Sequence, residues 1–571
     1  MKKLLEYIRP FWSRITVGLC FKFVGTIAEL WLPWILTYLL DEVVPKGVRG
    51  PIYMWGILML ICSGVACLFN ILANRSASAV ARDTTRGVRH GLYSRIAYLS
   101  CAQIDKIGVP SLVSRLTTDT YNVHQMVGMI QRMGVRAPIL LIGGIMMTLS
   151  LDVPLTMVLI AIIPIAVVSV TYVSMKGVPL FRRLQESVDS LILIIRENIT
   201  GARVIKALSR NEYETKRFEK QNKVVSGNEM TANIVMGLGR PIMNVLMYLG
   251  MVLVIIYGAY RVDGQLMKPA IIVAFLSYFT QISNAVMGLT RIFVIVSRAS
   301  ASANRIQEIM DMPMDLENEE AEAGDEQYHV EFDHVTFSYN KRKPTVTDIN
   351  FKLKRGESIG IIGATGSGKT TIINLLMRFY DVDQGAVRIG GRDVRTIPDD
   401  ELHRMFGVAF QNDVVFSDTV KENILLGRNI SDEAVERAID DAQAREFISG
   451  LPDGLSEHMN AQGTNLSGGQ RQRLLISRAL AGIPDILVLD DSSSALDYRT
   501  DANLRLALAE GYQDVTSVII ASRVSSIKNC TQIIVLDAGK VIGQGTHAEL
   551  LKSCPVYADI AKTQMGGGVN E

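Results

Sequence analysis

The chain has 571 residues, too many for one domain. Its formal net charge is only +2, so nothing in the charge balance points to a nucleic-acid partner. Apolar residues make up 48 % of it and mean hydropathy is positive, which excludes an ordinary soluble enzyme along its whole length.

The apolar surplus lies before about residue 300. Met1–Arg9 is charged and amphipathic and no A-x-A site comes after it, so no cleavable signal peptide is expected. This opening helix is expected on the cytoplasmic membrane surface, with Lys2, Lys3, Arg9 and Arg14 near lipid phosphates. Six long apolar stretches come next, each near the roughly 20 residues that span a bilayer. They are Ile15–Leu40, Tyr53–Asn74, Ala137–Leu151, Val153–Met175, Pro241–Tyr260 and Pro269–Val296. Only a tight turn at Ser150–Pro154 separates the third from the fourth.

Basic residues set the orientation. Arg75, Arg82, Arg86, Arg89, Arg95, Lys106, Arg115, Arg132 and Arg136 lie between spans two and three. Lys176, Arg182, Arg183, Arg203, Lys206 and Arg210 lie between spans four and five. The termini and these two connections are therefore expected in the cytoplasm of a cell of bacterial type, with the chain multi-pass in the plasma membrane. Each connection has about 60 residues and few turn formers, so the spans are expected to continue as helices some 30 Å into the cytoplasm. The tips are expected at Gly108–Leu116 and Asn211–Phe218. Inside the spans, Lys22 and Glu29 share a helical face, Met243, Met247 and Met251 form a stripe beside Asn244, and Gln281 and Asn284 mark span six. Either helix packing or contact with a hydrophobic ligand explains the stripe. The six cysteines show no C-x-x-C pair and no metal spacing.

Residues 310–327 are acidic and contain Pro313 and Gly324, a linker composition. Beyond Tyr328, strand and helix signals alternate, as in an α/β nucleotide domain of about 240 residues. Expected strands include Val330–Phe332, Ser358–Ile362, Val387–Ile389, Ile486–Leu489, Ser517–Ala521 and Gln532–Leu536. Gly363-Ala-Thr-Gly-Ser-Gly-Lys-Thr370 fits G-x-x-x-x-G-K-[ST] between the strand Ser358–Ile362 and an apolar helix starting at Thr371. Its glycines let backbone N–H groups converge on an anion, and the helix N-terminus adds partial positive charge. Lys369 is placed to reach the β/γ-phosphates and Thr370 to hold Mg²⁺. Asp490, ending the strand Ile486–Leu489, is placed to reach the same Mg²⁺ shell. Leu466-Ser-Gly-Gly-Gln470 opens a helix with a small turn able to cap a phosphate.

With these two motifs together, the chain resembles half of an ATP-binding-cassette (ABC) exporter over essentially its whole length. The resemblance implies an α-helical polytopic membrane domain of six transmembrane helices with long cytoplasmic extensions, fused to an α/β P-loop ABC nucleotide-binding domain. It divides the chain into residues 1–309, a linker at 310–327 and residues 328–571. It implies ATP and Mg²⁺ as cofactors. ATP would be held by Tyr339, Gly363, Thr365, Gly366, Ser367, Gly368, Lys369, Thr370 and Thr371. Thr370, Gln411 and Asp490 would hold the metal. Leu466, Ser467, Gly468, Gly469 and Gln470 would act in trans on a partner's ATP, and Ser494–Asp497 would cross between the two nucleotide domains. The cytoplasmic tips resemble coupling helices.

Three positions depart from the family pattern. Asp491 stands where a glutamate orients water, and its carboxylate falls about 1.5 Å short, one C–C bond. Ser522 stands where a histidine contacts the γ-phosphate. Ala461 stands where many relatives carry glutamate. The expectation is a degenerate site that binds ATP and hydrolyses it poorly, in a heterodimer with a second, non-identical half-transporter of multidrug-exporter type. A homodimer using Asp491 as a slower base also fits, as does a membrane sensor that binds ATP and moves no cargo. Small amphiphilic molecules, lipids and peptides all remain open as substrates.

Overall fold

The computed structural model describes residues 2–316, 326–411 and 413–565. The middle of the linker, 317–325, lies outside the described residues. The chain forms two compact units, Met1–Tyr98 with Val109–Met312, and Leu99–Gly108 with Pro313–Glu571.

In the first unit, six helical segments among the described residues are long and apolar enough to cross a membrane. They are Lys3–Lys46, Arg49–Ala97, Val109–Leu151, Val153–Thr200, Asn211–Asp263 and Ala270–Met310. The shortest has 41 residues. At 1.5 Å per residue it is about 60 Å long, twice the roughly 30 Å of a hydrocarbon core, so each span continues as a helix well past the bilayer.

The helix ends obey local chemistry. Gly47 stops the first segment at φ +68°, a left-handed conformation that glycine adopts without strain. Asp152 makes the tight turn between spans three and four. Its Oδ1 accepts from the Leu155 N–H at 2.9 Å and caps the fourth helix. Its Oδ2 accepts from Arg261 Nε and Nη2 at 3.1 and 2.8 Å, which ties the turn to the end of span five.

The two tips fall earlier than the sequence pattern places them. The first is the short helix Cys101–Ile107, capped by Ser100 and closed by Gly108 at φ +82°. Val109–Ser114 is already helical, so the expected tip at Gly108–Leu116 is corrected to Tyr98–Gly108. The second is Gly201–Arg210, where Ser209 turns at φ +52°. Asn211–Phe218 already lies in the return helix, with Glu212 and Glu214 favoured in its first turn.

Polar groups in the spans find separate partners. Lys22 donates to Asn70 and Asn74 of span two at 2.8 and 3.3 Å. Glu29 accepts twice from Arg136 at 2.6 and 2.9 Å. The methionine stripe is packing: Met243 is buried with Ala166 and Val286, and Met247 and Met251 pack on the cluster of Leu159, Ile162 and Phe279.

The second unit holds two sheets. Strands β1 (Val330–Phe337), β2 (Val346–Leu353), β4 (Gln384–Ile389) and β5 (Arg392–Asp393) form an antiparallel sheet in the order β2-β1-β4-β5. The other sheet has the order β10-β9-β3-β8-β7-β6. It contains β3 (Ser358–Gly363), β6 (Phe406–Ala409), β7 (Ile486–Asp490), β8 (Thr516–Ile520), β9 (Gln532–Asp537) and β10 (Lys540–Gly545). All pairs in it are parallel except β9 with β10. All five residues of β7 are buried, and Ile486–Leu489 form the continuous apolar run of a strand covered on both faces. Because β3, β7 and β8 run side by side, their carboxyl ends bring Gly363, Asp490 and the segment around Ser522 to one edge of the sheet, where parallel α/β sheets bind ligands.

Candidate functional site

The loop after β3 has a geometry only glycine permits. A Cβ on Gly363 would stand 2.2 Å from the Leu536 carbonyl oxygen and 2.7 Å from Ser367 Oγ. Gly366 and Gly368 sit at φ +81° and +101°, and a Cβ on Gly368 would meet Val346 Cγ1 at 2.6 Å. The helix Lys369–Leu376 starts directly after it. Lys369 Nζ folds back onto the Gly363 and Ala364 carbonyls at 2.9 Å each. Burial lowers the Lys369 pKa, while Asp490 and Asp491 oppose that shift. Ser367 Oγ is buried with no hydrogen-bond partner. An ammonium resting on carbonyls beside an orphaned hydroxyl is a cradle suited to an anion, which supplies a partner to the hydroxyl and a counter-charge to the ammonium.

Thr370 Oγ1 donates to Asp490 Oδ2 at 3.2 Å. Burial pushes the Asp490 carboxyl up, as does Asp491, while the Thr370 hydrogen bond and Lys369 pull it down. A buried carboxylate next to a hydroxyl offers hard oxygen ligands of the kind Mg²⁺ takes. Gln411, in the turn after β6, is solvent-exposed.

Tyr339 is about half exposed. Its hydroxyl donates to Thr371 Oγ1 at 3.3 Å and accepts from Asn374 Nδ2 at 3.0 Å. Tyr380 braces its ring edge-on at 4.9 Å. The Tyr380 hydroxyl in turn donates to the Asp105 carboxylate on the short helix Cys101–Ile107, and burial raises the Tyr380 pKa. Thr365 belongs to the glycine loop and is exposed.

The Leu466–Gln470 turn is built by a reciprocal cap. Ser467 Oγ accepts from the Gln470 N–H at 3.3 Å, and Gln470 Oε1 accepts from the Ser467 N–H at 2.9 Å. Leu466 is buried, and Gly468 and Gly469 open the helix Gly468–Leu480. A Cβ on Gly469 would come within 3.1 Å of the Ala495 carbonyl oxygen. From that helix, Gln472 donates to Ser494 Oγ at 3.3 Å and accepts from the Ala495 N–H at 3.0 Å.

Asp491 and Ser522 are brought together. Asp491 has φ +48°, and its N–H donates to the Ile520 carbonyl at 2.8 Å. Its Oδ1 accepts from the Ser522 backbone N–H at 3.3 Å. Sequence reasoning missed Gln564, from the helix Pro555–Met565. Its Nε2 donates to the Ser522 carbonyl at 2.9 Å and its Oε1 accepts from the Val524 N–H at 2.8 Å. Arg523 Nη2 donates to the Ser494 carbonyl at 3.2 Å, and Arg523 Cζ lies 5.3 Å from the Tyr498 ring centroid.

The chain is similar to known proteins over nearly its whole length. Residues 15–286 match the ABC transporter transmembrane region family and residues 346–494 the ABC transporter family. An uncharacterized ABC transporter ATP-binding protein of Mycobacterium tuberculosis is 33 % identical over 569 residues, covering 98 % of this chain and 97 % of the relative. YfiB of Bacillus subtilis, also an uncharacterized ABC transporter ATP-binding protein, is 33 % identical with 99 % of both chains covered. An ATP-dependent lipid A-core flippase of Legionella pneumophila is 28 % identical, covering all of this chain and 97 % of the relative. The solved structure of a bacterial Atm1-family ABC exporter with ATP bound has the same fold, with a TM-score of 0.83 at 23 % identity over 97 % of this chain and 99 % of that one.

Proposed function

Because the chain belongs to the ABC transporter family and carries a six-span exporter membrane region fused to an ATP-binding domain, we propose that it is the nucleotide-holding half of a heterodimeric exporter. One observation carries this reading: the Asp491 carboxylate is engaged by the Ser522 amide. In a hydrolytic site both positions must serve the nucleotide: one orients water and the other reaches the γ-phosphate. Here a carboxylate one carbon short is satisfied by backbone, and a serine hydroxyl replaces a longer, cationic side chain.

In this reading the Gly363–Thr370 loop wraps the phosphates and Lys369 shifts from its two carbonyls onto them. Tyr339 presents its ring to the adenine, braced by Tyr380. Thr370, Asp490 and Gln411 would hold Mg²⁺, which would supply charge neutralisation of the phosphate oxygens. Thr371 and Asn374 fix the Tyr339 hydroxyl, and burial keeps water from the Asp490 side of the loop. Leu466–Gln470 closes over the ATP of a second, non-identical half-transporter, which supplies the glutamate and the histidine. Closure of the shared sandwich requires that ATP bind the closed state more tightly than the open one. The basic connections favour both termini in the cytoplasm, and the cargo is an amphiphilic or hydrophobic compound taken from the cytoplasm or the inner leaflet.

The test is the reconstituted pair. Changing the partner's glutamate to glutamine is expected to abolish ATP turnover and vesicle transport, while Asp491→Asn changes either by less than about threefold. Equal loss from both substitutions refutes the asymmetric reading. ATP binding without any cargo movement in vesicles would favour a membrane sensor.

A further inference from the structure

A cavity of about 320 Å³ lies inside the membrane unit, walled by spans one, three and six. Glu29, Met133, Arg136, Gln281, Asn284 and Gly288 line it. Its volume is that of a small ligand pocket, and its polar groups are unfinished. Arg136 gives Nη2 to Glu29, yet its Nε is buried without a partner. Gln281 Oε1 is likewise buried and unpartnered. A structural ion pair explains Glu29 with Arg136, but not an open space with an unused guanidinium donor on one wall and an unused amide acceptor on another. Unsatisfied buried polar atoms cost free energy unless something completes them.

The lining pairs one cation, Arg136, with one carboxylate, Glu29, and two further cations lie near that pair. Lys22 lies within electrostatic reach of Arg132, Arg136 and Glu29, so three cations share one carboxylate. The depth is informative as well. Arg136 begins the helix Arg136–Leu151, 16 residues before the turn at Asp152. At 1.5 Å per residue it stands about 24 Å from that turn, at the opposite side of a roughly 30 Å core. With the turn outside, that is the head-group side of the inner leaflet. Apart from the Asn284 amide, the remaining lining, Met133 and Gly288 among it, is apolar.

We propose that this cavity receives the head group of an anionic membrane amphiphile, its anionic oxygen on Arg136 and a head-group hydroxyl on Gln281. Glu29 is then the resident competitor that holds the guanidinium in place until the ligand arrives. The exporter reading bears only on the steps after binding; binding itself is measured without ATP, so either can fail alone.

The test titrates the purified full-length chain, without nucleotide, with phosphatidylglycerol, diacylglycerol, phosphatidylcholine and inorganic phosphate, reading adducts by native mass spectrometry. Phosphatidylglycerol is expected to bind about tenfold or more tightly than either other lipid, the worth of one charge-assisted hydrogen bond. Glu29→Gln is expected to tighten it severalfold by removing the competing carboxylate. The double variant Glu29→Gln with Arg136→Gln removes both members of the ion pair and leaves the net charge unchanged, so it is expected to keep the fold and to lose the preference. An equal affinity for diacylglycerol, an unchanged preference in the double variant, or inorganic phosphate binding as tightly as the lipid overturns the proposal.

Discussion

Asp491→Glu in the chain purified alone is the most direct test of the proposed weak hydrolysis at this site. The native carboxylate accepts from the Ser522 N–H at 3.3 Å, a long bond. Glutamate extends the carboxylate by about 1.5 Å, one C–C bond, which carries it past that amide. A misplacement of about 1 Å costs on the order of a hundredfold in rate, or about 2.7 kcal/mol at 1.36 kcal/mol per decade. The substitution is therefore expected to raise kcat by about ten- to a hundredfold. The lower bound reflects the backbone: φ at this position is +48°, where aspartate is better tolerated than glutamate. The assay is phosphate release in lipid nanodiscs, with Lys369→Ala as the inactive reference. Adding Ser522→His is expected to raise the rate further. The reasoning fails if the unmodified chain already turns over briskly and Asp491→Asn abolishes that rate, or if Asp491→Glu stays flat while binding ATP normally.

Gly368→Ala places a Cβ 2.6 Å from Val346 Cγ1 at φ +101°, so about 1–3 kcal/mol of stability is lost; denaturation of the nucleotide-free chain checks it. Asp490 gives a pH prediction. Its folded carboxyl is raised by burial above the unfolded value, so the folded state binds more protons between those two values and stability falls as pH rises through that window. Asp490→Asn is expected to flatten this acid-range slope and raise the apo melting temperature at neutral pH, while weakening Mg²⁺-dependent ATP affinity; thermal melts across the acid-to-neutral range and nucleotide titrations measure the two. Arg261→Ala leaves the buried Asp152 carboxylate without its guanidinium and is expected to cost about 3–5 kcal/mol, the penalty for breaking a buried pair; unfolding in detergent reads it.

The features legible in the sequence obey local rules. The phosphate loop is announced by residue types that all fall within the eight positions Gly363–Thr370, although the atoms that crowd Gly363 and Gly368 lie on β9 and β2. The spans announce themselves by length and hydropathy, and the tight turn at Asp152 by its cap and proline. The tips were displaced because amphipathic helix continues on both sides of them. Gly108, Gly201 and the positive φ at Ser209 mark the stops, and a lone glycine or serine is a weak signal against so much periodic sequence. Gln564 and Tyr380 were invisible for another reason. Gln564 acts across 42 positions and the Tyr380 bond to Asp105 across 275, distances over which no spacing rule operates.

Those unread contacts tie the two halves of the proposed asymmetry together. Ser522 is held by Asp491 on one side and Gln564 on the other. The next residue, Arg523, reaches the Ser494 carbonyl. Ser494 and Ala495 are in turn gripped by Gln472, from the helix that Leu466–Gln470 opens. The residues that depart from a hydrolytic pattern and the motif offered to a partner thus meet on one loop, Ser494–Asp497. A segment pinned by backbone bonds at Ser522 has fewer ways to move than one released to track a γ-phosphate. The loop it supports is then held steady from behind. On the proposed reading, a subunit that keeps a signature motif in place for its partner would gain from such a fixed support, and weak turnover of its own would be the physical counterpart of that rigidity.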